Sequence, residues 1–199
     1  VGHADSRETI ARGGRSVRVS GSMSRFIRIA AIGLGALVAA WLVMVVGFGD
    51  EATVENSVDI DRPPEVVFDY ASDMRHELEW NPDVESMSKI TDGPIGVGTK
   101  FQAKWKQSEP LVVECVRFER PNRLTLDNGG SIEARVDVTL TPRGNGTHFV
   151  SSFRARPHGA ARLFFPIFVT MMRKFEAANM LHLKKAVEAQ PLAQTPSPR

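Results

Sequence analysis

Along the chain the spacing of apolar residues changes character several times. From Ile29 to Phe48 the sequence IAAIGLGALVAAWLVMVVGF carries no charged residue and no proline. At a rise of about 1.5 Å per residue a helix of that length spans about 30 Å, the thickness of a bilayer's hydrocarbon core. This predicts a transmembrane helix over residues 26–48. Beyond it the period drops to two: Val54, Asn56, Val58 and Ile60 alternate with polar neighbours, as in a half-buried strand. In DRPPEVVFDYASD, Pro63 and Pro64 mark a helix start, Val66, Val67, Tyr70 and Ala71 keep helical spacing, and Asp61 is the expected N-cap. A second short helix in HELEWNPDV must end at Asn81-Pro82, because proline disfavours helical geometry in the residue before it.

Six strand-like segments follow, at 84–90, 99–107, 111–119, 123–127, 131–142 and 147–155. In the second, Phe101, Ala103 and Trp105 face away from Lys100, Gln102, Lys104 and Lys106. In the fifth, Ile132, Ala134, Val136, Val138 and Leu140 alternate with Glu133, Arg135, Asp137 and Thr139. RGNG, at 143–146, reads as a hairpin turn, after which Phe149, Ser151, Phe153 and Ala155 share one phase. The pattern predicts an antiparallel sheet with one wet face. From Ala160 to about Ala189 the period lengthens again into a long helix. Its apparent apolar stripe runs Phe164, Phe168, Met171, Phe175 and Ala178, with Pro166 expected to kink it near the start. The tail, residues 191–199, is polar and proline-rich and is expected to be disordered.

Charge gives the membrane helix a direction. The chain has 25 Lys and Arg against 23 Asp and Glu, but Arg7, Arg12, Arg15, Arg18, Arg25 and Arg28 precede the apolar run while Asp50, Glu51, Glu55, Asp59 and Asp61 follow it. The positive-inside rule then puts the N-terminus in the cytoplasm and the C-terminal domain on the outer face of the cell membrane, in a single-pass arrangement. The basic segment 1–25 is read as a disordered cytoplasmic tail, although an over-long start before Met23 fits the same residues. A secretory signal has a shorter apolar core, about 7 to 15 residues. Ala31, Gly35 and Ala39 form a small-residue stripe of the kind common in membrane helices. No basic block remains in the domain to attract nucleic acid. Cys115, alone in the apolar run LVVECVRF, has no disulfide partner and no metal-ligand spacing, and is expected to be a core residue.

Strand, two short helices, six strands and a long helix follow in that order. With PPEVVFDY (63–70), EWNPDV (79–84), GPIGVGTKF (93–101), FERPNRL (118–124), LTPRGNGTHF (140–149) and LHLKKAVEA (181–189), the chain resembles the SRPBCC superfamily, also described as START-like, and within it the polyketide cyclase/dehydrase and lipid-transport group. The resemblance covers residues 53–190. It implies an α+β helix-grip fold, a curved antiparallel sheet wrapped around the C-terminal helix, preceded here by the transmembrane helix. It further implies a deep apolar cavity for a lipid or another hydrophobic small molecule. The apolar phases point Phe101, Trp105, Val136, Val138, Phe149 and Phe153 at the space that Phe164, Phe168 and Met171 would enter, with Ser151 as a polar anchor. Trp80 is implied to belong to the wall, and Glu77, Glu79, Asp83 and Glu85 beside it read as a solvated rim.

Candidates for catalysis are His76, His148, His158, His182, Ser151, Asp73 and Tyr70, none in a recognisable catalytic context. GPIGVG joins strands and lacks the following helix that a dinucleotide site needs, so no cofactor is expected, nor a metal. Three functional classes stay open: a membrane-tethered binding module, a cyclase/aromatase-type enzyme, and a protein-interaction domain with a filled core. Residues 49–52 reach only about 13 Å when extended, which favours a domain working close to the bilayer.

Overall fold

The computed structural model describes residues 21–47, 49–106 and 108–191. The basic segment 1–20 and the tail 192–199 lie outside the described residues. Two compact units divide at Trp41 and Leu42. Helix α1 (Gly21–Gly47) contains a stretch, Arg25–Gly47, of mean hydropathy 2.6, long and apolar enough to cross a membrane.

The second unit holds the globular elements. Strand β1 (Ala52–Ile60) leads into α2 (Pro64–Ser72), a 3-10 turn (Met74–His76) and the single-turn α3 (Glu77–Trp80). Strands β2 (Val84–Lys89), β3 (Lys100–Trp105), β4 (Leu111–Glu119), β5 (Arg123–Asn128), β6 (Ile132–Arg143) and β7 (Gly146–Pro157) follow. A second 3-10 turn (Gly159–Leu163) then delivers the chain to α4 (Phe165–Ala189). The seven strands form one antiparallel sheet in the order β1-β7-β6-β5-β4-β3-β2. Thus β7, last in sequence, joins the first strand to the meander, and the sheet grips α4.

Register follows the alternation in the sequence. Asn56 lies opposite Ser151, which lies opposite Val138; one row along, Val54, Phe153 and Val136 align. The β6–β7 hairpin turns at Gly144, whose φ of 60° favours glycine. The outer face carries cross-strand ion pairs such as Lys100–Glu114 at 3.2 Å and Arg135–Asp127 at 2.6 Å. Exposed pairs of this kind contribute little to stability.

Two details differ from expectation. Asp61 does not cap α2: the N-cap is Pro63 without a side-chain bond, and the Asp61 N–H donates to Glu188 Oε1 at 2.8 Å. Arg62 donates to the Glu188 carbonyl as well, and Lys184 to the Asp59 carbonyl at 2.6 Å. The end of β1 thereby fastens the last turns of α4. Pro166 sits in the first turn of α4, where a missing N–H costs nothing, so it marks the start of the helix.

The larger correction concerns the face of α4. Its buried residues are Phe165, Pro166, Val169, Asn179, Met180, Leu183 and Val187. At about 100° per residue this stripe lies roughly one residue's rotation from the aromatic stripe read in the sequence. Phe164 is 65% exposed and Met171 37%, Ala178 is exposed too, and Phe168 and Phe175 lie half-buried at the boundary. The true inner stripe was hidden because Glu176 and Asn179 interrupt it.

Candidate functional site

The interior splits into two apolar clusters. The larger joins Ile60, Phe68, Phe101, Leu140 and Phe149 to Met180, Leu183 and Val187 of α4. The smaller joins Val54 and Ala155 to Phe165 and Val169, with Phe153 and Phe168 packed against it, their ring centroids 6.3 Å apart. Along α4, Glu176 falls between the helix residues of the two clusters. Along β7, Ser151 falls between Phe149 of the larger and Phe153 of the smaller. A polar middle therefore separates two apolar ends.

Glu77 belongs to that middle, which corrects its assignment to a solvated rim. In the single turn of α3, positions four apart share a face. Glu77 and Asn81 take the inner one, and the Asn81 amide donates to Glu77 Oε2 at 3.3 Å. Asn81 also fixes the turn through Oδ1, which accepts the Asp83 N–H at 3.1 Å. Burial pushes the Glu77 carboxyl up to about 7, and the negative charge of Glu176 adds to the rise. Hydrogen bonds from Asn81 and the Trp105 indole oppose it. Burial likewise pushes Glu176 up to about 7. Both residues are half-buried overall.

The other three acids keep the expected outer placement. Glu79 accepts from the Tyr70 hydroxyl at 2.7 Å and pairs with His76 at 3.0 Å, and these bonds hold its carboxyl below the usual range. Glu85 pairs with Lys104, and Asp83 stays partly exposed. Trp80 packs half-buried against the larger cluster. The ELEWNPDV stretch thus supplies a wall tryptophan and one interior acid.

Of the residues expected to line the interior, Phe101, Val138, Phe149 and Ser151 are buried. Trp80, Trp105, Val136, Phe153 and Phe168 are half-buried and packed against the clusters. Phe164 and Met171 lie outside. Because Asn56, Val58, Trp105, Val136 and Phe153 remain half-buried although the sheet's inner phase carries them, the concave side retains accessible surface. An open groove of about 430 Å³ runs between α3 and the C-terminal half of α4, bounded by Leu78, Trp80, Asn81, Pro82, His182, Lys185 and Ala186, with Glu79 at its edge.

The remaining candidates for catalysis are mostly engaged elsewhere. Asp73 holds Arg75, His148 pairs with Asp59 at 2.7 Å on the surface, and His158 pairs with Glu133 at 3.2 Å. Tyr70 stacks on His76 and is pushed well above the ordinary phenol range, by burial and then by Glu79. Among these candidates His182 has a buried Nδ1 without a hydrogen-bond partner, and the residue lines the groove. Glu176 escaped the sequence reading, yet a signal existed: it shares the helical phase of Phe165, Val169, Leu183 and Val187.

A family model described as polyketide cyclase / dehydrase and lipid transport matches residues 51–188. The comparison with curated proteins returned no match. Among solved structures, TTHA0849 from Thermus thermophilus is similar at 18% identity and a TM-score of 0.60, with 69% of this chain and 98% of that one covered. The Zhui aromatase/cyclase from Streptomyces sp. R1128 is similar at 12% identity and a TM-score of 0.57, with 69% and 94% covered. The di-domain ARO/CYC BexL from the BE-7585A biosynthetic pathway aligns at 16% identity and a TM-score of 0.57, covering 86% of this chain and 62% of its own. At these identities the likeness establishes the fold, a curled antiparallel sheet with a C-terminal helix.

Proposed function

The chain belongs to the polyketide cyclase/dehydrase and lipid-transport family, and from that premise we propose that it is a membrane-tethered module that holds a hydrophobic molecule bearing one neutral polar group. The observation that carries this reading is the placement of two acids, Glu77 and Glu176, in the polar middle between two apolar clusters, where burial pushes their carboxyls up to about 7. Ligand sites are mostly apolar with a few converging polar groups. A hydroxyl can donate to either carboxylate, and a carbonyl can accept from either protonated acid. A carboxylate on the ligand would meet repulsion from whichever of the two acids is ionised, so a lipid alcohol, ester or ketone fits better than a fatty acid. Phe153, Phe168, Val136 and Trp105 would face the apolar body, with Ser151 a further polar contact. The apolar helix α1 supplies the tether, and the charge asymmetry across it supports a domain on the outer face.

One observation favours a second reading. A carboxyl near pH 7 with fixed partners suits general acid–base work. In a cyclase/dehydratase-type reaction Glu77 would take a proton from carbon alpha to a carbonyl and return it to a departing hydroxyl.

Native mass spectrometry of the full chain, purified from cells in a mild detergent, tests the proposal. A stoichiometric apolar compound with a neutral polar group, recovered unchanged by extraction, is the expected result. A polyketide-like substrate converted to product on the protein would favour the enzyme. A chain that carries nothing and takes up neither added lipid alcohols and esters nor polyketide-like aromatics would overturn both and point to protein partners.

A further inference from the structure

Phe164 and Met171, which the core of α4 leaves outside, belong to a wider exposed apolar surface. Leu163, Phe164, Ile167 and Met171 are 43%, 65%, 48% and 37% exposed. They follow one another at helical spacing, so they form one ridge over the last 3-10 turn and the first two turns of α4. Contiguous exposed apolar surface of this kind marks an interaction site. Arg162 stands at one end of the ridge and Lys174, one turn beyond Met171, at the other; both are accessible to solvent.

The position of this ridge along the chain identifies its occupant. Arg162 Nη2 lies 3.1 Å from Asp50 Oδ1, and Asp50 is three residues past Gly47, the end of the apolar helix. Three extended residues reach about 10 Å. The start of the ridge is therefore tied to the point where the chain leaves its candidate membrane span. Glu51, the next residue, binds Arg154 at 3.5 Å and Arg156 at 2.8 Å, fixing the same end of the sheet.

We propose that Leu163, Phe164, Ile167 and Met171 bed into the interfacial region of the bilayer that α1 enters, with Arg162 and Lys174 meeting anionic lipid headgroups. The inference rests on the reading of α1 as a membrane anchor. An apolar face flanked by cations inserts about 5 to 10 Å into the headgroup and acyl boundary, and basic side chains extend along it toward phosphate. The smaller cluster, with half-buried Phe153 and Phe168, lies directly behind the ridge. A hydrophobic ligand would pass between bilayer and interior at this end without crossing water.

The full chain, reconstituted in phosphatidylcholine vesicles with phosphatidylglycerol, tests the docking. An environment-sensitive fluorophore is placed in separate variants at Phe164→Cys, Ile167→Cys, Leu181→Cys and Leu37→Cys; Cys115, 1% exposed, does not compete for label. The expected result is blue-shifted emission at 164 and 167, quenched roughly twofold by lipids spin-labelled near the headgroup. Leu181, exposed but about 15 Å farther along the helix than Met171, stays unquenched, and position 37 is quenched by lipids labelled deep in the chain. Quenching at 37 without quenching at 164 or 167 overturns the docking and leaves the anchor standing. Equal quenching at 164, 167 and 181 also overturns it, because the helix would then lie flat. Protection of 164 from water without lipid quenching overturns it as well and assigns the ridge to a second copy of the chain. No quenching at 37 removes the anchor and the docking with it.

Discussion

Phe165→Ala is expected to destabilise the domain by about 3 to 5 kcal/mol, the cost of deleting a buried aromatic ring and leaving its cavity. Phe164→Ala, one residue earlier, is expected to change stability by less than about 0.5 kcal/mol, as exposed substitutions do. Phe165 is 1% exposed and joins Val54, Ala155 and Val169, whereas Phe164 is 65% exposed. The contrast between neighbours measures the rotation of α4 directly. Were Phe164, Phe168 and Met171 the buried stripe, the two effects would exchange. Denaturant unfolding of the full chain in detergent micelles, followed by near-ultraviolet circular dichroism, distinguishes the cases.

Glu77→Gln is expected to stabilise the domain at pH 8 and leave it nearly unchanged at pH 4. The carboxyl rises from 4.5 in the unfolded chain to about 7 in the folded one. Between those values the folded state binds more protons than the unfolded state, so stability falls as pH rises and the loss is complete above about pH 7. A shift of that size corresponds to about 3 kcal/mol per carboxyl as an upper bound. Glutamine keeps an oxygen to accept from Asn81 and Trp105 but carries no charge to desolvate. The repulsion between Glu77 and Glu176 belongs to the pair rather than to either residue, so the single substitution also eases the titration of Glu176. Unfolding midpoints measured from pH 4 to 9 should slope downward in the native chain and less steeply in the variant. Equal slopes would return Glu77 to the solvent.

The different fortunes of β6 and α4 mark what the sequence discloses. In β6 every inward position from Ile132 to Leu140 is apolar, so a period of two reveals both the strand and its face, and the register with β7 follows. In α4 the inward face carries Glu176 and Asn179, while a neighbouring face carries an unbroken run of Phe and Met. Periodicity ranks faces by apolar content, and here the face turned inward is interrupted by polar residues. A bilayer beside the domain would reward the exposed residues Phe164, Ile167 and Met171 as a core rewards the buried stripe. Glu77 was obscured for a different reason. A one-turn helix is too short to show a period, and four acids close together read as solvated until the fold buries one of them.

Carbon-13 NMR of the glutamate carboxyls of the full chain in micelles, titrated from pH 3 to 9, tests most directly whether the interior holds a pair of acids poised for a ligand. Glu77→Gln and Glu176→Gln identify the two resonances. The account predicts two carboxyls with midpoints near pH 7, which move when the compound recovered from the protein is added back. Titration of every glutamate below about pH 5, the range of solvated carboxyls, would contradict it.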